Sequence, residues 1–141
     1  MMCACLVFRS GSLSVINASK TLADNSASQL LYGGDVVLAT RMLKHMSERM
    51  RYDIQRTVDV GSREAMVTAL VKYVVRISSN LLGAGAWADL AQADGEVGRA
   101  VTALMVGLEE NAFLLADAVT SEKIIIKPTE NICECCLLTK F

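Results

Sequence analysis

The apolar side chains of this 141-residue chain recur at helical spacing over most of its length. In the stretch that follows Asp35, they alternate three and four residues apart, which is the period of an amphipathic α-helix. These positions are Val36, Ala39, Leu43, Met46 and Met50. The pattern predicts a long helix with Asp35 as its N-cap, because an Asp side chain accepts hydrogen bonds from the first turn.

Two more long helices are predicted further along. After the break at Gly61, Ser62 is the expected N-cap of a helix that ends near Gly83. The positions that share one side of that helix are Met66, Leu70, Tyr73, Ile77 and Leu81. The apolar positions of the third long helix are Val97, Val101, Leu104, Leu108, Leu115 and Val119. Shorter helices are expected between Ser19 and Gly33 and around Trp87.

The pattern changes at residues 123–128, "KIIIKP". Three consecutive Ile residues between lysines are typical of a β-strand, and Pro128 closes it. The rest of the chain is helical in pattern, so this strand is expected to have no partner within it. The predicted fold is therefore all-α, a small helical bundle followed by the truncated first strand of a missing sheet. Its predicted parts are an irregular, weakly signal-like start, a helical unit and a Cys-rich tail, at residues 1–16, 17–122 and 123–141.

Composition supports this class. A single Pro and 5% aromatic residues favour helices over a turn-rich sandwich, and this length suits one domain. The net charge of -1 provides no field that would attract nucleic acid. No run of 18 apolar residues is present, so we expect no membrane insertion. The N-terminal "MMCACLVF" has no preceding basic residue and makes a poor signal peptide.

Metal and cofactor chemistry is not expected. The five cysteines lack the spacing of a zinc site: Cys3, Cys5, Cys133, Cys135 and Cys136. His45 is the single histidine, and its neighbours Arg41 and Arg49 favour a solvated side chain. "GAGAWA" at residues 83–88 fits a dinucleotide pattern, but a predicted helix precedes it where that pattern needs a strand.

Three carboxylates lie in the last long helix, within "GLEENAFLLADAV". Glu110 and Asp117 share the side opposite the apolar positions, about 10.5 Å apart along the axis. Carboxylates that act on one bond usually lie within about 5 to 9.5 Å, so these two are interpreted, with Glu109, as a solvated surface. Phe113 and Leu114 also point away from the main apolar side. The helix is therefore expected to pack against a second layer.

Two surface features remain. The residues Arg41, Lys44, Arg49, Arg51 and Arg56 form a mild basic patch, which Glu48 and Asp53 interrupt. With no aromatic stacking platform expected beside it, no nucleic-acid partner is predicted. Asn17-Ala18-Ser19 is an N-glycosylation sequon, which has meaning only if the chain is exported.

Four stretches, taken in order, resemble one family: "YGGDVVLATRMLKHM", "NLL" at residues 80–82, "LEENAFLLAD" and "KPTENI". They are similar to the N-terminal helical half of the GAIN domain, the autoproteolysis-inducing module of adhesion G-protein-coupled receptors, in particular the latrophilins. The resemblance spans roughly residues 17–132. The positions that match the family motifs are Gly34, Asp35, Val36, Leu108, Glu109, Glu110, Phe113, Leu115, Asp117, Pro128, Glu130 and Asn131.

The resemblance implies a structural role for these residues. In such domains the helical subdomain lies against a larger β-sandwich, which would be the partner of this chain, with a protein adhesion ligand as a further partner. It also implies an extracellular location on the parent receptor. The family's His-Leu-Thr or His-Leu-Ser cleavage motif and seven membrane helices are not in this sequence; His45 is followed by Met46.

The sequence therefore predicts a truncated, non-enzymatic receptor fragment that supports the cleavage module but neither cleaves nor signals. The alternative is a free-standing cytosolic helical module that binds a partner through its Met-rich side.

Overall fold

The computed structural model describes residues 12–83, 85, 87–91, 96–119 and 123–138. Its elements, in chain order, are α1 (Ser12–Ser28), α2 (Gly33–Arg56), α3 (Val60–Gly83), α4 (Trp87–Leu90), α5 (Glu96–Ala118), β1 (Lys123–Pro128) and β2 (Cys133–Leu138). Cys3, Cys5 and the rest of the N-terminal apolar run lie outside the described residues. The helical bundle confirms the predicted fold class.

The central element of the bundle is α3, which packs against α1 on one side and α5 on the other. The buried surface of α3 is wider than the single apolar side predicted from the sequence, since Val71, Val74 and Val75 join Leu70 and Ile77 in the core. Within the described part of the chain, α3 is also the helix whose length and composition would suffice to cross a membrane. Half of that apolar window is buried inside the bundle, as in an ordinary core helix.

The start of α1 differs from the prediction. The helix begins at Ser12, so Ser19 lies in its interior and is not an N-cap. The Ser19 side chain is fully buried, and its hydroxyl donates to the carbonyl oxygen of Val15 at 2.8 Å and also contacts the sulfur of Met46 at 3.3 Å. A serine side chain is short, and its hydroxyl can bond to a carbonyl oxygen of its own helix, so Ser19 fits inside the core. Its residue type alone therefore wrongly predicted an N-cap.

Neither α2 nor α3 is capped by the residue that the sequence predicts. Asp35 lies in the first turn of α2, where its carboxylate accepts a hydrogen bond from the backbone N–H of Tyr32 at 3.0 Å. At α3, Asp59 performs the role predicted for Ser62, because its carboxylate accepts the N–H of Ser62 at 2.6 Å. Hydrogen bonds from the Ser62 side chain and backbone hold the pKa of Asp59 below its usual value.

The predicted strand has a partner, so the expectation of an unpaired strand is wrong. β1 pairs with β2 in an antiparallel hairpin, with Lys123 opposite Leu138 and Pro128 opposite Cys133. No strand was predicted in the Cys-rich tail, but its backbone groups complete the ladder as those of any residue would. Thr129 closes the turn, since its N–H and its hydroxyl donate to the carbonyl oxygen of Ile132 at 2.8 and 2.9 Å.

Candidate functional site

The C-terminal end of α3 is where the hairpin docks on the bundle. The backbone N–H of Asn131 donates to the hydroxyl of Ser79 at 3.0 Å, and its side-chain amide donates to the carbonyl oxygen of Ser79 at 2.9 Å. Ile132 packs against the core beside this contact. The turn of the hairpin is therefore attached to the helical bundle by backbone and side-chain groups together.

Gly83 makes room for this contact. A Cβ atom added at Gly83 would lie 2.7 Å from the amide nitrogen of Asn131, closer than real Cβ contacts occur. A larger residue would push the Asn131 side chain away from Ser79. In the sequence, Gly83 was interpreted as a helix end, whereas the structure adds a steric reason for glycine at this position.

Three further hydrogen bonds converge on the same end of α3. The side-chain amide of Asn80 donates to the hydroxyl of Ser26 at 2.9 Å and to the carbonyl oxygen of Ala23 at 3.3 Å, which connects α3 to α1. The indole N–H of Trp87 donates to the carbonyl oxygen of Leu81 at 2.7 Å, which connects it to α4. We call this set of contacts the α3 junction, defined by Ser79, Asn80, Leu81, Gly83 and Asn131 with their partners.

The carboxylates singled out in the sequence lie on the surface of α5. Glu109 and Asp117 are exposed and Glu110 is half-buried. Glu130, in the hairpin turn, is also exposed. These positions fit the interpretation as a solvated surface.

Phe113 and Leu114 are treated differently by the fold. Phe113 is 62% exposed, whereas Leu114 is only 3% exposed, so of the two residues expected on a second apolar side only Leu114 is buried within this chain. The cause is that α5 packs against both α2 and α3, which widens its buried side. Leu115 is fully buried and Leu108 is partly buried against the core.

A buried polar link between α2 and α5 was missed in the sequence. Asn111 is 1% exposed, and its amide donates to the hydroxyl of Ser47 and to the carbonyl oxygen of Gly107, both at 2.7 Å. The Ser47 hydroxyl in turn donates to the carbonyl oxygen of Leu43 at 2.9 Å. The available signal was the spacing of Asn111 from Leu104, Leu108 and Leu115, which puts a polar residue on the apolar side of α5.

The basic patch on α2 is partly neutralised by its own neighbours. The guanidinium groups of Arg49 and Arg56 lie 5.4 and 5.1 Å from the ring centre of Tyr52, and Arg49 also pairs with Asp53 at 3.2 Å. An aromatic ring therefore does lie beside the patch, contrary to the prediction. Because Tyr52 is three residues after Arg49 and four before Arg56, these side chains meet on one side of the helix. His45 is 72% exposed, as predicted, with Glu48 3.4 Å away.

The remaining motif positions lie in the core of the bundle or at the ends of its elements. Val36 is fully buried, Gly34 is exposed in the first turn of α2, and Pro128 ends β1. Asn17 lies on the exposed side of α1, while Ser19 of the same sequon is buried.

The helical bundle is the architecture expected of a GAIN subdomain A, and comparison with known proteins agrees. Residues 9–116 match the family model described as AGRL2-4 GAIN subdomain A. The protein named Latrophilin Cirl from Drosophila persimilis is 37% identical over 122 residues, and those from D. pseudoobscura pseudoobscura and D. ananassae have the same identity. Each match covers 84% of this chain and only 7% of the relative's length.

The chain therefore belongs to the GAIN subdomain A family of latrophilin-like adhesion receptors. Its family is that of adhesion-receptor GAIN segments.

Proposed function

We propose that this chain acts within a longer latrophilin-like receptor, on the extracellular side of the plasma membrane, as the helical support of the autoproteolysis module. In this role it neither cleaves nor signals. Its partner is the β-sandwich of the same receptor, and the sandwich begins with or beside the β1–β2 hairpin. The observation that carries the proposal is the exposed apolar side of α5, in a bundle to which the hairpin is already attached at the end of α3.

The exposed side of α5 supports the need for a second layer. Val106 and Phe113, seven residues apart on one side of the helix, are 45% and 62% exposed, and Met105 is 47% exposed. A helix that is apolar on more than one side normally packs against two layers. The inner side of α5 already contacts α2 and α3, so the outer side is the place for the sandwich.

The α3 junction supports the direction in which the sandwich lies. Through Ser79 and Gly83, the hairpin turn is held at one fixed end of the bundle. A sheet that continues from this hairpin would start from a defined position. In this proposal the motif residues around Asn131 are architecture, as are Glu109, Glu110 and Asp117.

A chimeric receptor tests the proposal. Residues 12–119 of this chain would replace the matching segment of a Latrophilin Cirl, and delivery to the cell surface and self-cleavage would be measured. We expect both to persist. A Phe113→Glu variant should reduce both, whereas Val58→Glu should not, because Val58 is 93% exposed between α2 and α3. Normal cleavage with Phe113→Glu, or none in the parent chimera, would contradict the proposal.

The cytosolic alternative depended on a Met-rich side that could bind a partner. Met46 and Met50 are fully buried, and Met42 and Met66 are partly buried against the core. These methionines fill the interior of the bundle, so no observation favours that alternative.

A separate proposal concerns Asn17 in an exported chain. We infer that Asn17 carries a glycan, because its side chain is exposed and an attached sugar would project into solvent. Expression of the chain behind a secretory leader should give a band that shifts on enzymatic removal of N-glycans. The Asn17→Gln variant should not shift. An unshifted wild-type band would contradict the inference.

A further inference from the structure

An apolar groove of about 460 Å³ lies between α2 and α5. Its lining includes Leu43 of α2 and Ala103, Leu104 and Val106 of α5. This volume is within the range of small-molecule sites, about 300 to 1,000 Å³. Val106, at the edge of the surface proposed for the sandwich, also lines the groove, whereas Phe113 does not, so the two surfaces meet at Val106.

The groove is open because α5 carries glycines where the two helices face each other. Gly98 and Gly107 both line it, and a Cβ added at either would meet nothing within 4 Å. A glycine inside a helix costs about 1 kcal/mol relative to Ala, and no close packing at Gly107 offsets that cost. One turn further along, a hydrogen bond between Asn111 and Ser47 joins the two helices.

The charges that line the groove are mainly positive. Arg41 and Lys44 of α2 and Arg99 of α5 line it, and Glu110 is the carboxylate among the described lining residues. Arg41 and Lys44 are exposed, so their charged groups can lie at the mouth while their stems cover the apolar floor. The combination is an apolar trough with cations at its opening.

We propose that this groove binds a single-chain anionic amphiphile of the fatty-acid type. The apolar chain lies over Leu43 and Leu104 in the space left by the glycines, and the carboxylate lies near Arg41 and Lys44. Two features favour this ligand: a volume suited to one chain and an excess of positive charge. The proposal concerns the chain alone and does not depend on the sandwich.

The test uses the full 141-residue chain and isothermal titration calorimetry with dodecanoate below its micelle concentration. Dodecyltrimethylammonium provides the same chain with the opposite charge, and butyrate provides the same head without the chain. We expect dodecanoate to bind one to one. The cationic amphiphile and butyrate should each bind at least about tenfold more weakly, because each lacks one of the two contacts.

Variants locate the site. Gly107→Leu should fill the groove and weaken dodecanoate binding at least about tenfold, since the space it would occupy is the space for the ligand. Gly98→Leu provides a second variant with the same expected loss, should the first fail to fold. Gly34→Leu is the matched control, because Gly34 is also helical and unhindered but lies away from the groove. Arg41→Gln with Lys44→Gln should weaken binding several-fold and flatten its salt dependence.

Several outcomes would overturn the proposal. One is equal binding of the anionic and cationic amphiphiles; another is undiminished dodecanoate binding in the folded glycine variants. A third is absence of dodecanoate binding together with a dimer, seen by sedimentation, that Gly107→Leu dissociates. That result would make a second copy of the chain the occupant.

Discussion

The end of α3 and the outer side of α5 differ in whether their side chains find partners within this chain. At the α3 junction, the polar groups of Asn80 and Asn131 have partners within the chain, and a glycine is placed to fit one of them. On the outer side of α5, Val106 and Phe113 are apolar and exposed. The first region is complete in this chain, while the second has the composition of a surface that packs against something else.

This difference separates two kinds of motif residue. Substitutions at the α3 junction or in the core should act on the stability of the isolated chain. Substitutions on the outer side of α5 should act mainly when a partner is present. The predictions below test that separation, from the largest expected effect to the smallest.

Leu115→Ala should have the largest effect. Leu115 is fully buried, so truncation leaves a cavity in the bundle and should lower the free energy of unfolding by about 2 to 5 kcal/mol. Urea unfolding followed by circular dichroism measures this. A loss below about 1 kcal/mol would mean that the interior near Leu115 is not close-packed.

Gly83→Ala should lower the stability of the chain by an intermediate amount, whereas Gly→Ala in a helix usually raises stability. In an unhindered helix, Gly→Ala stabilises by about 0.4 to 1 kcal/mol. At Gly83 the new methyl would displace the Asn131 side-chain amide, and the loss of its hydrogen bond to the Ser79 carbonyl should lower stability by about 1 to 2 kcal/mol. Gly34→Ala is the control, since its Cβ meets nothing within 4 Å. Equal effects at the two glycines would show that the hairpin turn is not docked at the α3 junction.

Asp59→Ala should have a smaller effect that depends on pH. The pKa of Asp59 is lowered in the folded chain from an ordinary value of 3.8, so its contribution is present above that pH. It is lost as the pH falls through the lowered folded pKa. The melting temperatures of wild type and variant should therefore differ at neutral pH and converge in strong acid. A difference that is constant with pH would contradict the assignment of Asp59 as the cap of α3.

Phe113→Ser should have the smallest effect on stability, within about 0.5 kcal/mol, because the side chain is largely exposed in this chain. The variant should, however, stay monomeric up to a higher protein concentration than the wild type, since the substitution removes an exposed apolar group. Analytical ultracentrifugation of the two proteins measures this. A loss of about 3 kcal/mol would mean that Phe113 is already buried in the isolated chain.

The sequence predicted most of the bundle. The period of Val36, Leu43 and Met50 indicated α2, and the period of Leu104 and Leu115 indicated α5, because helical spacing is a property of the chain itself. The helix starts were less predictable: Ser19 and Ser62 have the residue type of a cap, but neither caps a helix, and Asp59 does so for α3. The partner of β1 was missed because strand pairing depends on backbone groups that residue type reveals only weakly.

The sites were less visible than the fold. That Asn131 reaches Ser79, or that Gly83 makes room for it, depends on the approach of segments more than 45 residues apart. The groove between α2 and α5 likewise depends on which sides of two helices meet. Resemblance to a family pointed to Phe113 and Asn131, but only the fold shows that Asn131 is hydrogen-bonded to α3 whereas Phe113 has no such contact to hold it.

The central claim is that the outer side of α5 is covered by the sandwich of the receptor. The most direct test places a photo-crosslinking amino acid at Phe113 in the chimeric receptor, with Val58 as the control position. The account predicts a cross-link from position 113 to the sandwich and none from position 58. No cross-link from position 113, or an equal one from both positions, would contradict it.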